Sequence, residues 1–596
     1  MVALLVVTLV PLGLAQAGPA SPAAPRAATR GVIVQPGAAS ANLARLRRGD
    51  RPTLGGQPVR VEQAHDALGV LVSSAALGDA ELAQALTGAG YLAEPNRIRQ
   101  IQPVTPTAEL FNQPATVISG PDYWHVERVN ADLVHAAGTV GLPSVIVGVV
   151  DTGVDITHPI LAAAMVPGMN FLDNTSYVYD DVGHGTHVAG IVHSICPHCS
   201  LMPLKVLDYF GGDDYTIARG ILYAQEQGAK IVQISLGGPA PSATLCRAVR
   251  TVEQAGALVV IAAGNSAASA PDFVGYPALC SPDSLVVAAT DRYDRPAWFS
   301  NYGEAVDIAA PGLEVWSTVP SSFENSVIPA SGTSMAAPMV SGGAALLWAA
   351  HPAWTAAQVR AQLLASARDI STMAGIDDVY GLRLDLAQAF GLRPRPIVTG
   401  VVPDVLLLPK SGTPQQRTVH VRAVVRGDAI GAVTLRTSVN GVGSQAPMTL
   451  ESGDTYVGTY LAPPNTGLMR SILVWVVAGN NAGTTASFQE LVVQDGVRLV
   501  APSLRLLTAN PQPGQPVSYA VEWNGSWSTF DLQCDVFGFG EFIFSKPKGQ
   551  TVSCTYPFWR AYYPRASLFD AVGPVGSATL EVRLKATSEI YLPFTQ

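Results

Sequence analysis

The chain has 596 residues, 48% of them hydrophobic and only 14% charged, with 56 Gly, 45 Pro and a net charge of -9. At about 100–200 residues per domain this length predicts several globular units, and the composition excludes a disordered or coiled-coil chain. The sequence holds no Lys/Arg run of the kind that binds nucleic acid or an anionic membrane, so neither is expected as a partner.

In chain order, residues 1–17 read as a secretory signal: an apolar run interrupted by Pro11, too short to span a bilayer, closed by the small-x-small pattern Ala15-Gln16-Ala17. Residues 18–120 begin rich in Ala, Pro and Gly. They then settle into an extended segment, a helical pattern over Asp79 to Leu86 and a second extended segment, a small α+β domain. From 121 to 391 continuous apolar runs of strand length recur at 144–150, 201–207, 230–236, 257–263 and 284–290. Helical patterns separate them, one of which puts Ala218, Ile221, Leu222 and Gln225 on one face. Buried strands alternating with helices predict an α/β fold with a doubly wound parallel sheet, whose sites lie at the carboxyl ends of the strands. Two stretches, 392–495 and 496–596, change to short alternating strands with Gly, Pro and Asn turns and read as two β-sandwich-like modules, with a soft boundary near Asp495 to Arg498.

Six cysteines suit an exported protein with paired thiols. Connectivity is open in principle. Nearest-neighbour pairing, Cys196 with Cys199, Cys246 with Cys280 and Cys534 with Cys554, keeps each bond inside one expected domain.

Three motifs stand at element ends within the α/β stretch. Asp151 follows the strand in VGVVDTGVD, His184 opens a helical stretch in DVGHGTHVAG, and Ser334 opens an apolar helix in ASGTSMAAPMVSGGAALL. A Ser hydroxyl becomes a nucleophile when a His takes its proton, and the His needs a carboxylate to fix its tautomer and stabilise its cation. Pro338, close after Ser334, fits a helix beginning at the nucleophile, where a missing N–H costs little.

On Asp151-Thr152-Gly153, His184-Gly185-Thr186-His187-Val188-Ala189-Gly190, Gly332-Thr333-Ser334-Met335-Ala336-Ala337-Pro338 and the AAGN segment ending at Asn265, the chain resembles the subtilisin-like serine peptidases, the subtilase family. The resemblance covers 121–391. It implies a subtilisin-like fold, a triad of Asp151, His184 and Ser334, and Asn265 as an oxyanion donor. It also implies a substrate groove at Ser235, Leu236, Gly237, Ala263 and Gly264, with Gly275 in FVGYP leaving open a pocket for a large apolar side chain before the cut bond. The 18–120 segment then resembles a propeptide, chaperone and inhibitor of its own enzyme, removed by self-cleavage somewhere in 103–120.

No cofactor is expected for catalysis. Structural calcium is left open, with Asp180 and Asp181 as helix caps or ligands. The expected partners are polypeptide substrates and the propeptide, in a secreted monomer free of membrane once the signal is cut. Asp155, His158 and His187 read as structural, and Asn174 and Asn524 match glycosylation triplets. Two other readings are an adhesin using its C-terminal β-modules, and a zinc hydrolase built on the histidine-rich GHGTHVAGIVHSICPHC. On a helix His184 and His193 point to opposite sides and cannot share an ion, whereas His184 and His187 are about 60° apart.

Overall fold

A computed structural model describes residues 29–35, 43–101, 123–266, 274–323, 327–370, 381–409 and, short loops excepted, 411–583. The expected signal, the 103–120 maturation window, Asn524, Cys534 and the 495–498 boundary lie outside the described residues. The described residues form two compact units: one holds those up to Ala64 together with Val70–Ile98, the other His65–Gly69 and those from Arg99 onward.

In the first unit β1 (Thr29–Gln35) pairs antiparallel with both β3 (Gly69–Ser73) and β4 (Leu92–Arg99), and β2 (Arg60–His65) lies beyond β3. Helix α1 (Asp79–Gly88) sends Leu82 and Leu86 onto Val32, Val34, Val61, Val70 and Val72. Its first turn carries Asp79 and Glu81 against the positive end of the helix dipole. The expected strand, helix, strand unit is an undercount. β1 lies in the stretch read only as Ala-, Pro- and Gly-rich, and its VIV core is too short to show a period there.

The second unit is built on a sheet of nine described strands. Its centre runs in the order β10 (Ile308–Pro311), β9 (Leu285–Thr290), β8 (Leu258–Ala262), β7 (Ile231–Ile234), β5 (Ile146–Asp151), β6 (Ser200–Lys205), each parallel to its neighbour. The chain leaves β5 in one direction to β6 and returns on the other side to β7, so the strand order reverses at β5. A crevice opens there beyond the strand ends.

Strand alternation assigns the two faces. Val147, Val149, Ile231, Val260 and Val287 share a core with helix α2 (His184–Ile195) and helix α5 (Thr333–Ala350). Gly148 faces the other way, where a Cβ would stand 2.9 Å from that of Ala224 in α3 (Asp214–Glu226). Helix α4 (Ala243–Gln254) packs beside α3. On α3 the buried face includes Ala218, Ile221, Leu222 and Ala224. Gln225 stands half-buried at its edge rather than on it, since an amide finds no partner inside an aliphatic layer.

Past Leu392, two sheets of four and six described strands, antiparallel except where Leu407–Leu408 runs parallel to Glu490–Gln494, enclose one core that includes Val419, Val421, Ala423, Val425, Leu435, Val474 and Val476. Strand Thr418–Arg426 alternates buried and solvent-facing residues along its length, which is what binary patterning on a two-sheet stack requires. Further antiparallel strands follow, from Ser503–Leu506 to Val582–Arg583.

Two disulfides join Cys196 to Cys199, with Cα atoms 5.4 Å apart, and Cys246 to Cys280, 4.6 Å apart. Cys554 is also disulfide-bonded, and the partner expected for it, Cys534, lies outside the described residues. The Cys246 to Cys280 bond spans a separation of 34 residues, so loop-closure entropy gives it about 3–4 kcal/mol. Replacing both by Ala is expected to lower the unfolding free energy of the unit by that amount, read as a shift in urea midpoint at constant slope.

Candidate active site

Asp151 is the last residue of β5, and two glycines let helix α2 approach it. Gly153 has a φ of 102° and sits against the Val178 carbonyl; a Cβ on Gly185 would stand 2.1 Å from the Gly153 carbonyl and 3.1 Å from the Asp151 Cβ. Any side chain at Gly185 would therefore push His184 off Asp151. Asp180 fixes the helix start: its carboxylate accepts from the Thr152 hydroxyl at 2.8 Å, Val182 N–H at 3.0 Å, Gly183 N–H at 2.8 Å, and Thr186 N–H and hydroxyl at 2.8 and 2.7 Å. Asp181 instead pairs with Lys205 Nζ at 2.6 Å. The two carboxylates are thus spent on different partners, Asp180 as a cap. Among the described residues no group of three or more His, Cys, Asp or Glu gathers to hold a metal ion.

His184 Nδ1 lies 2.7 Å from Asp151 Oδ1, and that oxygen also accepts from Thr152 N–H at 2.8 Å. His184 Nε2 is buried and has no hydrogen-bond partner among the described residues. Burial alone would push the imidazole down, but the charge and hydrogen bond of Asp151, with Asp180 behind it, outweigh burial and hold it above its ordinary 6.5. The arrangement fixes one tautomer, with the proton on Nδ1 and a lone pair on Nε2.

Ser334 is the second residue of α5, and its hydroxyl donates to the Ser235 carbonyl at 3.3 Å, just past the end of β7. Pro338 lies deeper in α5 than the first turn, so its missing N–H does cost a bond and leaves the Ser334 carbonyl without a helical partner. The Ser235 hydroxyl donates to that carbonyl at 3.0 Å. Behind it, Gln233 Nε2 donates to the Ser235 hydroxyl at 2.8 Å and the Ser341 hydroxyl to Gln233 Oε1 at 2.5 Å.

The Asn265 amide oxygen accepts from Thr333 N–H and from the Thr333 hydroxyl, both at 2.9 Å, and Gly264 N–H donates to the same hydroxyl at 3.0 Å. This turns the amide nitrogen toward Gly332, beside the nucleophile, where a Cβ on Gly332 would stand 3.3 Å from it. Ser235, Leu236, Gly237, Ala263, Gly264, Asn265, Gly275 and Ser334 all line one cavity of about 170 Å³. Gly275 is there for a further reason than openness: a Cβ would stand 2.5 Å from the Gly238 carbonyl, which accepts from Tyr276 N–H at 2.8 Å.

The sequence reading missed Thr333, Thr152, Gln233 and Ser341. Thr333 and Thr152 lie inside quoted motifs, next to the residues they orient, while Gln233 and Ser341 carry no local signal. His187 is buried, its Nε2 3.1 Å from the Ile328 carbonyl, and Asp155 takes Thr157 and Ser321 N–H groups, both structural positions.

The sequence profile of the subtilase family matches residues 143–382. Thermitase of Thermoactinomyces vulgaris is 42% identical over 236 residues, which cover 38% of this chain and 81% of thermitase. Subtilisin BL of Lederbergia lenta is 39% identical over 276 residues, covering 45% of this chain and 97% of that protein. The chain belongs to the subtilase family. It is a serine endopeptidase. A crystal structure of a cold adapted subtilisin-like serine proteinase is similar at 30% identity over 41% of this chain and 90% of its own, with a TM-score of 0.37. Among the described residues of this subtilase no helix is long and apolar enough to cross a membrane.

Proposed function

We propose that the chain hydrolyses polypeptides through Asp151, His184 and Ser334, with Asn265 and the Ser334 N–H as oxyanion donors. The observation that carries this is the His184 imidazole, locked by Asp151 at Nδ1 and bearing an unpartnered Nε2, at the strand ends where Ser334 opens its helix. Ser334 Oγ attacks the scissile carbonyl carbon and its proton passes to His184 Nε2, while Asp151 stabilises the imidazolium. The tetrahedral oxyanion is held by the Asn265 amide and by backbone N–H at the positive end of α5. His184 then protonates the leaving amine, the acyl-enzyme forms, and water returns by the same path to free Ser334. In a free enzyme the link from nucleophile to base is often long and tightens on binding, which suits a Ser334 hydroxyl resting on the Ser235 carbonyl.

The finer reading is of a secreted zymogen, exported by residues 1–17, folded with 18–120 as inhibitor and matured by its own cut within 103–120. Its catalytic domain is 121–391, followed by β-sandwich-like modules at 392–495 and 496–596. Catalysis needs no cofactor, calcium is at most structural, and the mature enzyme is a monomer that prefers large apolar residues before the cut. The antiparallel bridge of Gln100 to Gly237, a groove residue, supports inhibition by the upstream segment.

The acid limb of kcat/KM reports the free base, so it is expected to have its midpoint above pH 6.5, with activity lost as His184 becomes protonated below it. Ser334→Ala is expected to accumulate as the uncut precursor. Normal maturation of that variant in a host without other proteases would refute self-processing.

A further inference from the structure

Gln233 is a polar residue in the middle of the central sheet. Its neighbours along β7 are Val232 and Ile234, and it stands in register with Val149 on β5 and Val260 on β8. Gln233 and Ser341 are 0% exposed, and Ser235 and Ser334 are 2% and 5% exposed. An amide is tolerated in an aliphatic layer when its polar atoms are hydrogen-bonded, and those of Gln233 reach Ser341 on one side and Ser235 on the other. Ser341 follows Ser334 by about two turns of α5, so both look onto the same strand.

The bonds run in one direction. The Ser341 hydroxyl donates to Gln233 Oε1 at 2.5 Å, Gln233 Nε2 to the Ser235 hydroxyl at 2.8 Å, and the Ser235 hydroxyl to the Ser334 carbonyl at 3.0 Å. A hydroxyl has one proton to give. With the amide turned over, Gln233 Oε1 would face Ser235 and draw that proton, and the Ser334 carbonyl would lose its donor. That carbonyl is the one that accepts from residue 338 in an unbroken helix, and Pro338 has no N–H. On the other side of Ser334, the Thr333 N–H and hydroxyl are both bonded to Asn265 Oδ1.

We propose that Gln233 is a positioning residue for the nucleophile: with Ser341 behind it and Ser235 before it, it secures for the Ser334 carbonyl the hydrogen bond that Pro338 withholds. The inference rests on the endopeptidase reading and deepens it. Gln233 touches no substrate and acts through Ser235. Its N–H occupies a lone pair of the Ser235 hydroxyl and leaves the proton aimed at Ser334, and aligned bonds of this kind strengthen one another in a buried site. The backbone of Ser334 is then held on both sides while its hydroxyl is free to swing from the Ser235 carbonyl to His184. A nucleophile displaced by about 1 Å can lose on the order of 10²-fold in rate, which is why a buried amide is kept there at the expense of a better-packed aliphatic residue.

Peptide hydrolysis and the rate of fluorophosphonate labelling of Ser334 are measured on the full chain after expression. Gln233→Met keeps the length of the side chain and cuts its hydrogen bonds. It is expected to lower kcat and the labelling rate together by about 10–100-fold, with KM within about threefold and the acid limb of kcat/KM unmoved, since His184 is untouched. In a Pro338→Ala background, where an N–H again reaches the Ser334 carbonyl, the same substitution should cost less than about threefold, and likewise in Ser235→Ala, where the chain of bonds is already cut. An unchanged kcat in Gln233→Met, a loss carried by KM alone, or an equal loss in either background would overturn the proposal. Ser341→Ala cuts the far end and should lower kcat at least about threefold, an effect that Pro338→Ala should again erase, so this cycle decides the question if Gln233→Met does not fold. Inactivity of the native chain towards every peptide would instead count against the endopeptidase reading.

Discussion

Replacing His184 by Ala is expected to lower kcat by about 10⁶-fold, the size that loss of this histidine produces in subtilisin itself, while KM changes little. His184 is the group the reaction cannot substitute. Ser334 has no other base beside it: the Ser235 carbonyl, its one described partner, accepts a hydrogen bond but cannot carry a proton away. Without His184, removal of Asp151 or Ser334 in a second step should cost almost nothing more, because residues that act as a unit are lost as a unit. A stepwise additive loss in the double variants would mean that they do not act together.

Acid should unfold the enzyme well above the range where exposed carboxylates protonate. His125 and His187 are both fully buried in the neutral form. Burial first, then the charge of His187, pushes His125 down to about 3; burial first, then the charge of His184, pushes His187 down to about 3, against the pull of the Ile328 carbonyl. Neither nitrogen of His125 has a partner among the described residues. An unfolded imidazole titrates near 6.5, so between there and about 3 the unfolded chain binds protons that the native state refuses. Stability is therefore complete above 6.5 and falls by about 1.4 kcal/mol per pH unit for each group below it. By pH 4.5 the pair accounts for roughly 5 kcal/mol, comparable to the whole stability of many domains. Burial raises the carboxyls of Asp291, Asp307, Asp385 and Glu253, and these act in the opposite sense. Comparing two proteins cancels them. In urea titrations from pH 7 to 4.5, His125→Phe should lose less stability than the parent by about 1.4 kcal/mol per unit below 6.5, whatever its stability at pH 7. An identical pH dependence in the two proteins would show that His125 titrates freely.

The sheet and the site differed in how readable they were. Buried parallel strands such as Ile146–Asp151 are apolar on both faces and stand out as runs, and Asp151, His184 and Ser334 sit in short motifs because each must occur at an element end. What escaped reading was made by distance along the chain. Arg99 meets Asp214 115 positions away, Ser341 meets Gln233 across 108, and nothing local marks either pair. Pro338 was read from its neighbourhood alone, which could not show that the Ser235 hydroxyl serves the carbonyl it strands. The position of β1 was hidden for a related reason, since three apolar residues among Gly, Pro and Ala show neither period.

The most direct test of the catalytic assignment is mass mapping of the purified enzyme after reaction with a fluorophosphonate. A single adduct on Ser334, absent from His184→Ala and accompanied by complete loss of peptide hydrolysis, is the expected result. An adduct on any other residue, or undiminished hydrolysis with Ser334 fully modified, would contradict it.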